Sequence, residues 1–450
     1  FDEFTPEQVD EALDQAHGAF SAWRETSFDE RAALLRRAAA YLRAHKDELA
    51  RLATLEMGKT IAESEAEVEK CAWNCDYYAE QGARFLADEP APSSAAESFV
   101  AFEPLGTVLA VMPWNFPYWQ VFRFAAPALM AGNTAVLKHA ANVPQCALAI
   151  ERVFRESGFP AGAFRTLLIP GSAVEAVIGD PRIAAVTLTG SDETGSKVAA
   201  AAGRALKKTV LELGGSDAFI VLEDADLDGA AKMAARSRFQ NAGQSCISAK
   251  RFIVVAAVAE EFARRFAAAA AAYAPGDPLR RETAMGPLAR GDLRDALERQ
   301  LRESVAAGAR VLAGGERPAG PGYFYPPTLV ADVTPAMPVF REETFGPLAA
   351  IIAVPDAEAA IAAANDSVFG LGGNLWTGDV ERGKRLARRI ATGGVFINGM
   401  TASDPRLPFG GVKRSGYGRE LSAFGIREFV NIQTIWVGPA QAAAPTPAAE

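Results

Sequence analysis

The chain has 450 residues, 49% of them apolar, enough for two or three domains with sizeable cores. Its 46 basic and 55 acidic residues are interspersed and sum to −9, with no basic block to grip a phosphate backbone or an anionic bilayer, so neither nucleic acid nor membrane is expected as a partner. Four cysteines are too few for a disulfide framework, no run reaches the roughly 18–20 apolar residues of a membrane span, and the first residues lack a basic-then-apolar signal pattern, so a cytoplasmic setting is expected.

The first ninety residues read as helices. Thr5 can cap, with Pro6 at the first helical position and Gln8 three residues after the cap, and Val9, Leu13, Ala16, Phe20 and Trp23 follow at helical spacing. Ser27 with Glu30 repeats the signal ahead of Leu34, Leu35, Ala38, Tyr41 and Leu42. Cys71 and Cys75 stand four apart, on one helix face; none of the three histidines (His17, His45, His139) is near them in sequence, so packing is the reading and no metal is expected.

From Phe99 the texture changes. Short apolar runs at 107–112, 134–137, 166–169, 185–188, 209–213 and 219–222 alternate with helical stretches such as 145–156 and 172–178. That alternation predicts a parallel sheet covered on both faces, with its ligand at the carboxyl ends of the strands. After 223 the pattern restarts, with helices at 228–240 and 260–272 and strands at 252–255, 350–353, 373–376 and 395–398, a second α/β domain. A last strand at 429–437 is expected to pair with one at 98–103, and the Ala/Pro-rich stretch 439–450 is expected to be disordered.

Several residues along this frame can carry chemistry. Cys246 ends the small polar loop Gln240-Asn241-Ala242-Gly243-Gln244-Ser245, where a nucleophile is usually presented, although a plain loop cysteine has the same surroundings. Glu212 closes an apolar strand before Gly214 and Gly215; it is either a base opening on a cleft or a strand end facing water. Asn115, between Trp114 and Phe116 and flanked by Pro113 and Pro117, is either a fixed amide donor for an oxyanion or a turn asparagine. Gly190-Ser191 through Gly195 leads from a strand into a helix, as a pyrophosphate-binding turn does, without G-x-G-x-x-G spacing. Lys138 ends a strand, placed for a ribose or simply for solvent.

These stretches, together with Glu342-Glu343-Thr344-Phe345-Gly346-Pro347, Asn365 through Leu371, and Pro408-Phe409-Gly410-Gly411 with Lys413, Ser415 and Gly416, resemble the aldehyde dehydrogenase superfamily in content and order. The resemblance implies an α/β fold with a Rossmann-like cofactor domain (1–96 and 106–214), an α/β catalytic domain (215–424) and a small β oligomerisation arm (97–105 and 425–438). It implies Cys246 as nucleophile, Glu212 as base, and the Asn115 amide with the Cys246 backbone amide as oxyanion hole. Lys138 and Glu343 would hold the riboses, Phe345 would flank the nicotinamide, Gly190, Ser191 and Gly195 would lie by the pyrophosphate, and Trp114 would belong to the same cofactor site. The aldehyde would be oxidised through a thiohemiacetal and a thioester to the acid.

The resemblance extends to cofactor and substrate. Relatives that prefer NAD commonly carry a glutamate three residues after the ribose lysine; Ala141 stands there, so a 2′-phosphate is not repelled and NADP is favoured over NAD. The chain is most similar to succinate-semialdehyde dehydrogenases, which implies Arg123 and Ser422 as contacts for a distal carboxylate, the alternative for Arg123 being a surface helix arginine. Gln240 departs from the arginine that many of those enzymes have six residues before the cysteine, leaving a broader-specificity enzyme for another semialdehyde or an aliphatic aldehyde as the alternative. Glu212 argues against a CoA-acylating enzyme, and both Glu212 and Cys246 argue against a silent relative. The strand pair at 98–103 and 429–437 resembles an oligomerisation arm, so a homodimer or homotetramer is expected.

Overall fold

The computed structural model describes residues 1–438; the stretch 439–450, expected to be disordered, lies outside the described residues. The N-terminal helices start where the capping signals stand. Thr5 Oγ1 accepts from the Gln8 amide while Gln8 Oε1 accepts from the Thr5 amide, opening helix Pro6–Trp23, and Ser27 with Glu30 does the same for Phe28–Ala44. A third capping box, Thr60 with Glu63, opens Ile61–Phe85, which buries Cys71 and Cys75 on one face as their spacing required.

Three sheets follow. The first has six strands in the order Gly416–Tyr417, Lys208–Glu212, Ile183–Thr189, Thr107–Met112, Thr134–His139, Phe164–Thr166, parallel except for the Gly416–Tyr417 edge. Chain order runs outward from Thr107–Met112 to one side and then to the other, so the sheet has a switch point at its centre, where such folds hold ligands. Register aligns Val111 with Lys138 and with Leu188, and Thr189 with Glu212, so the carboxyl ends lie in one row. The apolar run at 166–169 is not a strand: the ladder covers Phe164–Thr166. Leu167 and Ile169 are buried instead against Leu13 and Ala16 of the first helix, and the Leu168 carbonyl accepts from the Phe4 amide.

The second sheet has seven strands, in the order Arg310–Ala313, Thr328–Ala331, Leu348–Val354, Ala249–Val255, Asp217–Val221, Gly372–Trp376, Gly394–Ile397, all parallel save the first pair. The third pairs Glu97–Pro104 with Val430–Val437 antiparallel, from Val430 opposite Pro104 to Val437 opposite Glu97, with the short strand Glu89–Pro90 on its other edge. Among the described residues no helix is long and apolar enough to cross a membrane.

Candidate active site

The cysteine loop is set by backbone shape first. Helix Leu227–Phe239 ends and Asn241, Ala242 and Gly243 follow with φ of 52°, 52° and 71°, three consecutive left-handed residues that turn the chain back sharply. Buried Arg238 holds the turn by donating to the Gly243 and Thr344 carbonyls, both at 3.0 Å, and to the Gly346 carbonyl. Beyond the turn, Lys250 Nζ donates to the carbonyls of Ser245 (2.9 Å), Cys246 (2.8 Å) and Ser248 (3.2 Å), so one buried ammonium clamps the backbone around Cys246. Ser248 donates to the Ser237 carbonyl at 2.6 Å.

Gly214 and Gly215 serve close approach. A Cβ on Gly215 would stand 2.5 Å from the Cys246 carbonyl oxygen, and one on Gly214 would stand 2.6 Å from Glu343 Oε2. Glu343 Oε1 accepts from the Gly215 amide at 3.0 Å and lies 3.6 Å from Lys250 Nζ, which ties the end of the Glu212 strand to the cysteine loop.

Glu212 does not face water. It is 2% exposed, neither carboxylate oxygen has a hydrogen-bond partner among the described residues, and Gly410 packs against it, where a Cβ would come to 2.7 Å of Oε1. Burial, with Glu420 adding a like charge, pushes its carboxyl well above the usual range. Burial likewise pushes the Cys246 thiol up to about 12, with Glu343 and Glu212 adding to the rise and Arg123 and Lys250 opposing it. Burial thus disfavours the charged form of both groups, and the thiol needs a proton acceptor before it reacts.

The Asn115 amide is held in one direction. Nδ2 donates to the Gln244 backbone carbonyl at 3.0 Å, and the Asn115 backbone carbonyl accepts from Asn241 Nδ2 at 2.9 Å. Since an amide nitrogen carries two hydrogens, one remains for a second acceptor. His139, neutral because burial lowers it to about 4, braces the same turn through Nε2 at 2.8 Å from the Pro117 carbonyl.

Cys246 opens on a cavity of about 590 Å³ whose wall includes Glu63, Glu67, Lys70, Phe116, Trp119, Arg123, Arg236, Gln240, Tyr273, Ser403 and Phe409. Two sequence-predicted substrate residues, Arg123 and Gln240, are on that wall; Ser422 is not. Ser422 is buried at the start of helix Ser422–Ile426, and its carbonyl accepts from the Tyr78 hydroxyl at 3.1 Å. Arg123 is 2% exposed, not a surface residue; it is ion-paired with buried Glu420, donates to Thr189 Oγ1 at 3.3 Å and stacks 4.6 Å from the Phe409 ring centre. Lys70, Arg236 and Ser403 were not anticipated.

The cofactor candidates sit along the row of strand ends. Lys138 is half-buried with no charged partner among the described residues, burial alone lowering its ammonium, which leaves its donors for a ligand hydroxyl. Ala141 is exposed just beyond it. Ser191 caps helix Asp192–Arg204, accepting from the Thr194 amide at 3.2 Å, and Gly195 lets this helix seat on the sheet, where a Cβ would meet Leu213 at 2.5 Å. A helix N-terminus beside a strand end suits a pyrophosphate. Trp114 and Phe345 meet edge to face at 5.8 Å between ring centres.

Comparison with known proteins points the same way. The model of the aldehyde dehydrogenase family matches residues 1–435. A probable succinate-semialdehyde dehydrogenase [NADP(+)] of Synechocystis is 55% identical over 430 residues, 96% of this chain and 95% of that protein. A succinate semialdehyde dehydrogenase [NAD(P)+] of Escherichia coli is 52% identical over 96% of this chain and 93% of its own length. Among solved structures, the succinic semialdehyde dehydrogenase of Streptococcus pyogenes in complex with NADP+ superposes with a TM-score of 0.95 at 40% identity, covering 98% of this chain and 97% of that one.

Proposed function

Because this chain belongs to the aldehyde dehydrogenase family, we propose that it oxidises succinic semialdehyde to succinate, with NADP accepted in preference to NAD. The observation that carries the reading is the cavity at Cys246, which brings the nucleophile together with three cationic side chains, Lys70, Arg123 and Arg236.

In this reading Cys246 Sγ, having given up its proton to water entering the cavity, bonds to the aldehyde carbon, and the free N–H of Asn115 with the Cys246 amide receives the oxygen as charge develops on it. Lys250 and Arg238 hold the loop so that this donor pair is formed beforehand. The cofactor, when bound, supplies the hydride acceptor; Lys138, Glu343, Ser191, Gly190, Trp114 and Phe345 are the residues that would hold it. Glu212, once ionised, takes a proton from the water that cleaves the thioester. Ala141 supports the NADP preference, since it places no carboxylate there against a 2′-phosphate. The largely exposed strand Val430–Val437, paired with Glu97–Pro104, supports a homodimer or homotetramer.

Reduced cofactor is followed by absorbance with succinic semialdehyde or butanal, each with NADP or NAD. A kcat/KM at least about tenfold higher for the semialdehyde is expected, in line with a charge-assisted contact. A preference for butanal would sink the substrate assignment while leaving the dehydrogenase; an overwhelming preference for NAD would sink the cofactor assignment.

A further inference from the structure

The cations around the cavity are not equivalent. Arg123 is already balanced by Glu420 and committed to Thr189 and Phe409. The two carboxylates on the wall are occupied as well: Glu67 is ion-paired with Lys59 and accepts from the Tyr118 and Trp119 amides at 2.8 Å, and Glu63 accepts from the Asn241 amide at 2.6 Å. Asp404, close by, is bound by Arg406 at 2.6 Å.

Lys70 is different. It projects from helix Ile61–Phe85 into the cavity, donates to Ser403 Oγ at 2.7 Å and lies 4.1 Å from the Trp119 ring centre. Its ion-pair partner is missing: among the described residues no carboxylate oxygen lies within 4.0 Å of Nζ. An ammonium has three hydrogens, and Ser403 takes one. A half-buried, incompletely satisfied cation on a cavity wall is stabilised by an anion that arrives with the ligand. Arg236, exposed at the same cavity and also without an ion-pair partner among the described residues, adds positive potential along the approach.

We propose that Lys70 is the specificity-determining residue of this site: its ammonium, beside Ser403, receives the distal carboxylate of the aldehyde substrate, while Arg236 attracts that carboxylate to the cavity. Arg123, its charge already balanced, is secondary in this discrimination. The assignment rests on the substrate reading above and identifies which cation enforces it.

The test compares the full-length enzyme with its Lys70→Met and Lys70→Arg variants, using NADP with succinic semialdehyde and with butanal, the four-carbon aldehyde that lacks the carboxylate. The readout is the ratio of the two kcat/KM values, which a loss of structure affecting both substrates alike does not move. In Lys70→Met the ratio should fall by about 10- to 100-fold, mainly through KM for the semialdehyde, as expected for loss of a charge-assisted contact in a partly desolvated site. Lys70→Arg, which keeps the charge, should retain most of it. If Lys70→Met does not fold, Lys70→Gln takes its place with the same expected fall. A ratio within about twofold of wild type in the uncharged variant, whatever the absolute rates, overturns the proposal. The wild-type ratio tests the substrate reading separately: a strong preference for the semialdehyde that survives loss of the Lys70 charge leaves that reading standing and removes only the role of Lys70.

Discussion

A carboxylate enclosed with no hydrogen-bond donor destabilises a fold once it ionises, and among the described residues Glu212 is such a group. Its folded-state carboxyl is raised, so the folded protein binds a proton that the unfolded chain releases near the ordinary glutamate range. Stability is therefore fully present below that range and declines as pH rises through it toward the folded value. Two consequences follow for Glu212→Gln. The melting temperature should exceed that of wild type by about 1–3 °C at pH 8, with the gap closing toward pH 5. Over the same range kcat should fall by about 10²- to 10⁴-fold, the usual contribution of a positioned base. Calorimetry and steady-state rates at both pH values check this; a variant as active as wild type removes Glu212 from the hydrolytic step. The proposed role of Glu212 was legible only in part: an acid in an apolar strand before two glycines is unusual, but the residues alone left a strand end facing water as the alternative. Lys70 was not: in Glu69-Lys70-Cys71 it resembles any helix-surface lysine, and only the packing of its helix against the cavity gives it an interior face. The one usable signal was the polar series Glu63, Glu67, Lys70, Asn74 at helical spacing, a stripe that an ordinary buried face would fill with apolar residues.

At the scale of the element, the cysteine loop and the end of the Glu212 strand behave as one unit, joined by close backbone approach at Gly215 and by the Glu343 and Lys250 side chains. The sequence placed the glycines and the cysteine correctly but could not show that they touch, because residues 215 and 246 belong to separate motifs whose proximity depends on how two sheets are set. The same limitation explains the shifted strand at 164–166: a run of buried apolar residues has the same composition whether it pairs in a ladder or packs under a helix. Gly215→Ala tests the unit. Its Cβ would stand 2.5 Å from the Cys246 carbonyl oxygen, which Lys250 also holds at 2.8 Å, so neither partner moves freely. The expected result is a loss of about 1–3 kcal/mol of stability, as for overpacking in a tight site, with kcat/KM falling about 100-fold as the oxyanion donors are displaced. Thermal unfolding and kinetics on the purified variant measure both; unchanged kinetics would mean that the loop position is not set by this contact.

At the scale of the whole molecule, the outer sheet raises a problem that the isolated chain does not solve. Among the described residues Val430–Val437 pairs with Glu97–Pro104 along one edge only, so its other edge presents amides and carbonyls without a strand partner there. Along this strand Ile432 is 64% exposed, Trp436 57% and Val437 43%. Large apolar side chains beside a free strand edge are stable in water when a second chain covers them. In the proposed oligomer this sheet is the contact, and its failure should be separable from catalysis because Cys246 and its cavity are built from other elements. Replacing Ile432 and Trp436 together by lysine puts two like charges on each copy of the contact, which costs several kcal/mol when copies meet. Light scattering coupled to size exclusion should then report a smaller species than wild type at the same micromolar concentration, with circular dichroism unchanged. If the double variant keeps the wild-type mass, the arm is not the interface, and the exposed apolar strand needs another explanation.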